Sequence, residues 1–238
     1  MPRALADRRC VVLVPYATHI EPACDRGLRE LEKRGLEVRR YPSSAAVDRT
    51  RCDVATAAVR DGFDELMWID SDIRFDPDDV TRLRTYDLPI VAGVYAKKGV
   101  RELAVHVEQD LAELKMGEGG GLYDVRYVGA GFLLTQKMVY DDVQRTFSLP
   151  VCNTRFGAAT VPYFLPMVVT DDGGGYWYLG EDYAFCERAR RSGHKIVVDT
   201  TIRLGHIGPY TYGWEDAGQE VPRVTGATFS FDRSSSKR

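Results

Sequence analysis

Short apolar runs alternate with helical stretches through the first hundred residues, and this alternation limits the fold more than any other feature. CVVLVPY (10–16) reads as a buried strand, and LEVRRYP (36–42), ELMWI (65–69) and LPIVAGVYA (88–96) read as three more. Between them lie helical patterns. The first follows Thr18 and Glu21, spaced as a capping box, with Pro22 in its first turn and Gly35 as its stop. The second, 47–62, turns Val47, Val54, Ala55, Ala58 and Val59 inward, and the third, 76–86, has Asp76 as N-cap and Pro77 at its first position. Strand and helix alternating at this spacing predict an α/β domain with a mainly parallel sheet.

Beyond residue 97 the pattern changes. ELAVHVE and GLYDVRYVGAGFLLT alternate or pause at glycines, as antiparallel strands do around a loop at 117–121. A helix is expected at 136–146, a proline- and glycine-rich loop at 149–177, a helix at 179–193 ended by Gly193, and a last strand in HKIVVDT. The final residues, TGATFSFDRSSSKR, read as a flexible tail.

Composition excludes several function classes. Lys plus Arg number 32 against 35 Asp plus Glu, a formal charge of −3, so the basic excess of a nucleic-acid binder is missing and no nucleic-acid partner is expected. No run approaches the roughly 20 apolar residues of a membrane span, which leaves peripheral membrane contact as the one membrane role. Five cysteines, an odd number with no CxxC pair, suit reduced thiols in a cytoplasmic protein better than a disulfide framework or zinc ribbon.

The chemistry-bearing stretch is IDSD (69–72), at the end of the third strand. Residues two apart on an extended segment project to one side, so Asp70 and Asp72 aim at one point beyond the strand, with the small Ser71 between them. That point, outside the carboxyl ends of the strands, is where open α/β sheets bind ligands. Carboxylates there suit Mg2+ or Mn2+ joined to substrate phosphates; a solvated strand end is the plain alternative.

VVLVPYATHIEP, DRTRCDVATAAVRDGFDELMWIDSDIRF, IVAGVYAKK, YVGAGFLLTQKMV and LGEDYAFCERARRSGHKIVVDTTIRLGHIG, in that order, resemble the DxD-containing, family 2-like nucleotide-sugar glycosyltransferases of the GT-A fold. The resemblance covers 10–208 and lies in the order of the pieces, each motif being weak alone. It implies a single GT-A catalytic domain over 1–225, with a nucleotide-binding half at 10–96, an acceptor and sugar half at 97–225, and the tail at 226–238. It also implies a small antiparallel element in the second half. Asp72 would hold a divalent cation, and Asp70 would reach the ribose, the sugar or the metal through water.

His206, in RLGHIG, would be the third metal ligand, against the general expectation that a lone histidine is structural. His19, His106 and His194 have no comparable setting. Asp182 would be the base that deprotonates the acceptor hydroxyl, and Glu181 would orient acceptor or donor; on pattern alone both favour the first turn of a helix. Pro15 and Tyr16 would line the nucleotide base and Thr18 would bond it, although this stretch departs from the commoner P-x-Y-N form. Arg51 either faces the nucleotide or is a solvated helix arginine. Gly129 and Gly131 would admit the donor sugar, or mark a strand bulge. Lys97 and Lys98 read as solvated unless they reach phosphate or acceptor, and Trp177 and Tyr178 as core unless they face a sugar.

The expected activity is transfer of a sugar from a nucleoside-diphosphate sugar, with UDP favoured and inversion by Asp182, to a glycan, lipid-linked or small-molecule acceptor. Rival readings are a retaining transferase, a nucleotide-sugar-binding relative without catalysis, a nucleotidyltransferase lacking its glycine-rich loop, and a phosphatase of the haloacid dehalogenase type. The last places its DxD on the first strand, where this chain has none.

Overall fold

The computed structural model describes residues 7–43, 46–108, 111–171, 173–218 and 226–230. Its first half runs β1 (Cys10–Tyr16), α1 (Pro22–Lys33), β2 (Glu37–Pro42), α2 (Val47–Arg60), β3 (Glu65–Ile69), β4 (Ile73–Arg74), α3 (Pro77–Thr85) and β5 (Ile90–Gly93). The second half continues with β6 (Val105–His106), β7 (Glu113–Gly117), β8 (Leu122–Val125), β9 (Tyr127–Val128), β10 (Phe132–Gln136), α4 (Lys137–Thr146), β11 (Met167–Thr170) and β12 (Tyr176–Leu179). It ends with α5 (Glu181–Arg191), β13 (Ile196–Asp199), β14 (Gly205–Ile207), β15 (Thr211–Tyr212) and β16 (Gly226–Ser230).

Seven strands form the central sheet in the order β2-β1-β3-β10-β5-β13-β8. β2, β1, β3, β5 and β13 run one way, and β10 and β8 run against them, so the fold is mixed α/β with a mainly parallel sheet. Alternation along each strand divides the core in two. Val11, Leu13, Leu66 and Trp68 face α2, α4 and α5, while Val12, Val14, Met67 and Ile69 face α1 and α3. Trp68, wholly buried, donates its indole N–H to the Tyr140 hydroxyl at 2.9 Å, and Tyr140 in turn meets Thr135 at 2.9 Å. Both polar groups are thereby satisfied inside the apolar layer.

Several expectations need correction. Thr18 and Glu21 form no capping box: Glu21 is the N-cap of α1 and makes no side-chain cap bond, while Thr18 is exposed and bonds to His19 at 3.0 Å. Val47 opens α2 on the exposed side. The small antiparallel element expected in the second half is present, as β6 with β9 and β11 with β12, and β10 in addition enters the middle of the central sheet, between β3 and β5. The 149–177 stretch holds most of an antiparallel hairpin, β11 with β12. Gly226–Ser230, read as tail, pairs antiparallel with Glu113–Gly117; the rest of that tail, 231–238, lies outside the described residues.

Candidate functional site

The site is built at the carboxyl ends of β1 and β3. Leu13 pairs with Trp68 in the parallel register, which brings Pro15 level with Asp70 two residues on. The chain then turns: the Ile73 N–H bonds back to the Asp70 carbonyl at 3.1 Å, and the Asp70 N–H reaches the Gly131 carbonyl on the β10 side at 3.0 Å. After this turn β4 pairs with β14, setting His206 opposite Ile73, and the Ile207 N–H donates to the Asp72 carbonyl at 2.7 Å. Residues 134 apart in sequence are thus held side by side by a two-residue strand pairing.

Asp72 and His206 are brought together, with His206 Nε2 lying 3.6 Å from Asp72 Oδ1. The other ring nitrogen, Nδ1, is 2.8 Å from the Ala96 carbonyl. A carbonyl only accepts, so Nδ1 carries the proton and Nε2 is the atom turned to the carboxylate. That is the arrangement by which a metal-binding histidine is usually oriented. Lys98 donates to the second carboxylate oxygen, Asp72 Oδ2. Burial works to raise the Asp72 pKa, but a doubly protonated His206 together with Lys98 outweighs it and holds the carboxyl at about 2.

Asp70 faces elsewhere. Its Oδ1 accepts Arg51 Nη2 at 2.7 Å, and Arg51 Nε lies 3.6 Å from Glu181 Oε1. Arg51 is 2% exposed, which excludes the solvated-helix reading of that residue. Burial opposes its charge, yet Asp70 and Glu181 more than compensate and raise its pKa. Nε and Nη1 have no hydrogen-bond partner among the described residues. Among the described residues no three metal-ligating side chains converge, so Asp70 does not join Asp72 and His206 in one cluster.

Glu181 and Asp182 head α5 behind the N-cap Gly180, where the helix dipole favours negative charge. Asp182 Oδ1 accepts the Tyr183 N–H at 2.8 Å. Burial first, and then the neighbouring Glu181 charge, push the Asp182 carboxyl up to about 6. This lifts it above the ordinary carboxylate range and toward the range in which a carboxylate works best as a base. Tyr95, also buried, has its pKa raised by burial and by the charges of Asp70 and Asp182.

Tyr95 accounts for both glycines of VGAGF. A Cβ on Gly129 would stand 2.4 Å from the Tyr95 hydroxyl, and one on Gly131 2.7 Å from it, while the Gly131 N–H donates to that hydroxyl at 3.1 Å. The backbone here is close to a tyrosine, and the sequence pattern carries no signal of it. Pro15 is buried, Tyr16 and Ser71 half-buried, and the Ser71 carbonyl receives the Glu21 N–H at 2.8 Å. A cavity of about 470 Å3 opens where β2 meets α2, lined by Tyr41, Pro42, Arg49, Thr50, Asp53 and Val54. Of these the sequence singles out Val54 alone, as an inward residue of α2, although Pro42 pairs with Tyr16.

No family model matches the chain, and no curated protein matches it. Among solved structures, A197 from STIV aligns at a TM-score of 0.53 and 15% identity, covering 84% of this chain and 86% of that one. At this identity the likeness is one of fold. GalNAc-T7 with UDP, GalNAc and Mn2+ aligns at a TM-score of 0.46 and 10% identity, over 84% of this chain and 44% of that one. A glycosyltransferase involved in the glycosylation of the major capsid of PBCV-1 aligns at 0.35 and 12% identity, over 58% and 65%. These neighbours include glycosyltransferases. Among the described residues no helix is long and apolar enough to cross a membrane.

Proposed function

We propose that the chain is a metal-dependent glycosyltransferase that moves a sugar from a nucleoside-diphosphate sugar, UDP favoured, to an acceptor hydroxyl with inversion. One observation carries this reading: a single buried guanidinium, Arg51, touches both Asp70 of the strand-end pair and Glu181 of the helix-head pair. The two acidic motifs, 111 residues apart, therefore belong to one site.

Asp72 and His206 fit a divalent cation. The carboxylate is ionised at any physiological pH, Nε2 is oriented toward it, and hard cations of this kind complete their shell with substrate phosphates and water. When bound, such a cation would stabilise the diphosphate leaving group as the anomeric bond breaks. Asp70 is held by Arg51, which suits it to the ribose or sugar hydroxyls. Asp182 takes the proton of the attacking hydroxyl, and its raised pKa makes it a stronger base than an exposed carboxylate. Glu181, tied to Arg51, keeps the head of α5 set against the donor side. Tyr16 and Pro15 would bound the nucleotide base.

Thermal melts with UDP, GDP, CMP and dTDP, each with and without Mn2+, test this on wild type and Asp72→Ala. Stabilisation by one nucleotide that needs Mn2+ and disappears in Asp72→Ala is expected; a hundredfold excess over Kd would add about 2.7 kcal/mol. No nucleotide response in the presence of metal would return IDSD to a solvated strand end.

A further inference from the structure

Lys98 is on the chain between Ala96 and Leu103, which are joined by an isolated antiparallel bridge. Its ammonium donates to Asp72 Oδ2 and, at 3.1 Å, to the Ile207 carbonyl, and so lies between the aspartate loop and β14. His206 Nε2 lies 3.6 Å from the other oxygen of the same carboxylate. A divalent ion on Asp72 and an ammonium on Asp72 repel each other at this range, and of the two groups the lysine is free to leave. Its side chain is 36% exposed, and its charge rides on a flexible four-carbon stem. That stem lies against Gly208, where a Cβ would come within 3.0 Å of Lys98 Cδ, so the head can swing while the stem stays placed.

We propose that Lys98 is an exchangeable counter-ion of the metal site: it holds Asp72 in the metal-free protein, leaves when a divalent cation enters, and then meets the donor diphosphate. This rests on the glycosyltransferase reading. Mn2+ alone must displace an ammonium whose one carboxylate partner among the described residues is Asp72, and binds weakly. Mn2+ together with a nucleoside diphosphate offers that ammonium a new partner, and each ligand then raises the affinity of the other by the same factor.

Calorimetric titration of Mn2+ into wild type and Lys98→Met, without and with saturating UDP, separates the possibilities; GDP serves if UDP does not stabilise the wild type. Lys98→Met is expected to bind Mn2+ alone roughly three- to tenfold more tightly, with the enhancement by UDP reduced several-fold. Lys98→Arg, which keeps the charge, is expected to leave Mn2+ binding weak, and provides the comparison should the methionine variant not fold. A lysine that serves the fold alone would weaken Mn2+ binding with and without UDP together. If Lys98→Met binds Mn2+ alone no better than wild type, while wild type retains nucleotide binding that depends on Mn2+ and on Asp72, the counter-ion role is overturned and the glycosyltransferase reading stands. Wild type with no Mn2+-dependent nucleotide binding overturns both.

Discussion

At the residue scale, Asp182 sets a tension between stability and activity. Its folded pKa of about 6 is above the ordinary value of 3.8, so between those values the folded chain keeps a proton that the unfolded chain has lost. Stability therefore falls as pH rises through this window, and the full cost is present above pH 6. Asp182→Asn keeps the acceptor for the Tyr183 N–H and removes that cost. It is expected to stabilise the protein by roughly 1–3 kcal/mol at pH 8, with the gain fading as pH approaches 4, and to lower turnover by about a hundredfold or more. Chemical denaturation at the two pH values and an activity assay check both halves. Arg51 works in the opposite sense. Arg51→Met leaves Asp70, Glu181 and Asp182 with no shared cation, and an expected loss of about 2–4 kcal/mol follows. Because Arg51 is one of the charges that lowers the Asp182 pKa, its loss should move the acidic limb of the pH–rate profile upward, and Arg51→Lys should restore part of that shift. A variant that loses stability with no movement of the profile would make Arg51 a packing residue alone.

At the element scale, the short β4–β14 pairing is what makes a site out of distant residues. Ile207→Pro removes the N–H that bonds the Asp72 carbonyl and is expected to loosen His206 from Asp72, weakening Mn2+ binding by tenfold or more while the helical circular dichroism is retained. Retained affinity would show that the loop holds itself. The same element explains what could be read in advance. The strand ahead of IDSD, the helix that starts at Pro77 and the bound Asp76 cap are local features, and the residues at those positions announce them. The partner of Asp72 is not local: RLGHIG is an ordinary glycine-flanked histidine until β14 meets β4. Likewise KKG reads as solvated because nothing near Lys98 in the chain reveals Asp72, and the half-polar run EVRRYP was readable as a strand only through its place between two helices. Arg51 on α2 shows the converse. Its helical position was plain, but whether it turned to solvent or inward depended on Trp68, over whose ring its guanidinium carbon lies at 5.5 Å, and on carboxylates from two other elements.

At the scale of the whole molecule, the two ends of the sheet differ in how their charges are settled. At the amino ends of the strands, buried Glu65 accepts from Arg84 at 2.6 Å and is paired with Arg8, which also meets Asp87. At the carboxyl ends, four acidic side chains share Arg51 and Lys98, and Arg51 Nε and Nη1 are without a hydrogen-bond partner among the described residues, which accords with the proposal that ligands bind at this end. The path of the chain between these ends was legible in its first half, where each strand leads through a helix to a neighbour, and less so in the second, where pairing spans long separations. β16 is the extreme case. TGATFSF looks like tail because it is short, rich in Gly, Ser and Thr, and far from any strand in sequence, yet Phe229 stands opposite the buried Leu114 and packs against the larger core cluster. It also covers an edge of β7 that would otherwise present unpaired backbone groups. Deleting 226–238 should therefore lower Tm by about 3–8 °C, the shift that roughly 1–3 kcal/mol produces in a chain of this size. Phe229→Ala should reproduce much of the deletion's effect, because the side chain buries apolar area that the ladder alone does not. Equal melting temperatures for wild type and the 226–238 deletion would return these residues to the solvated tail that their composition suggests.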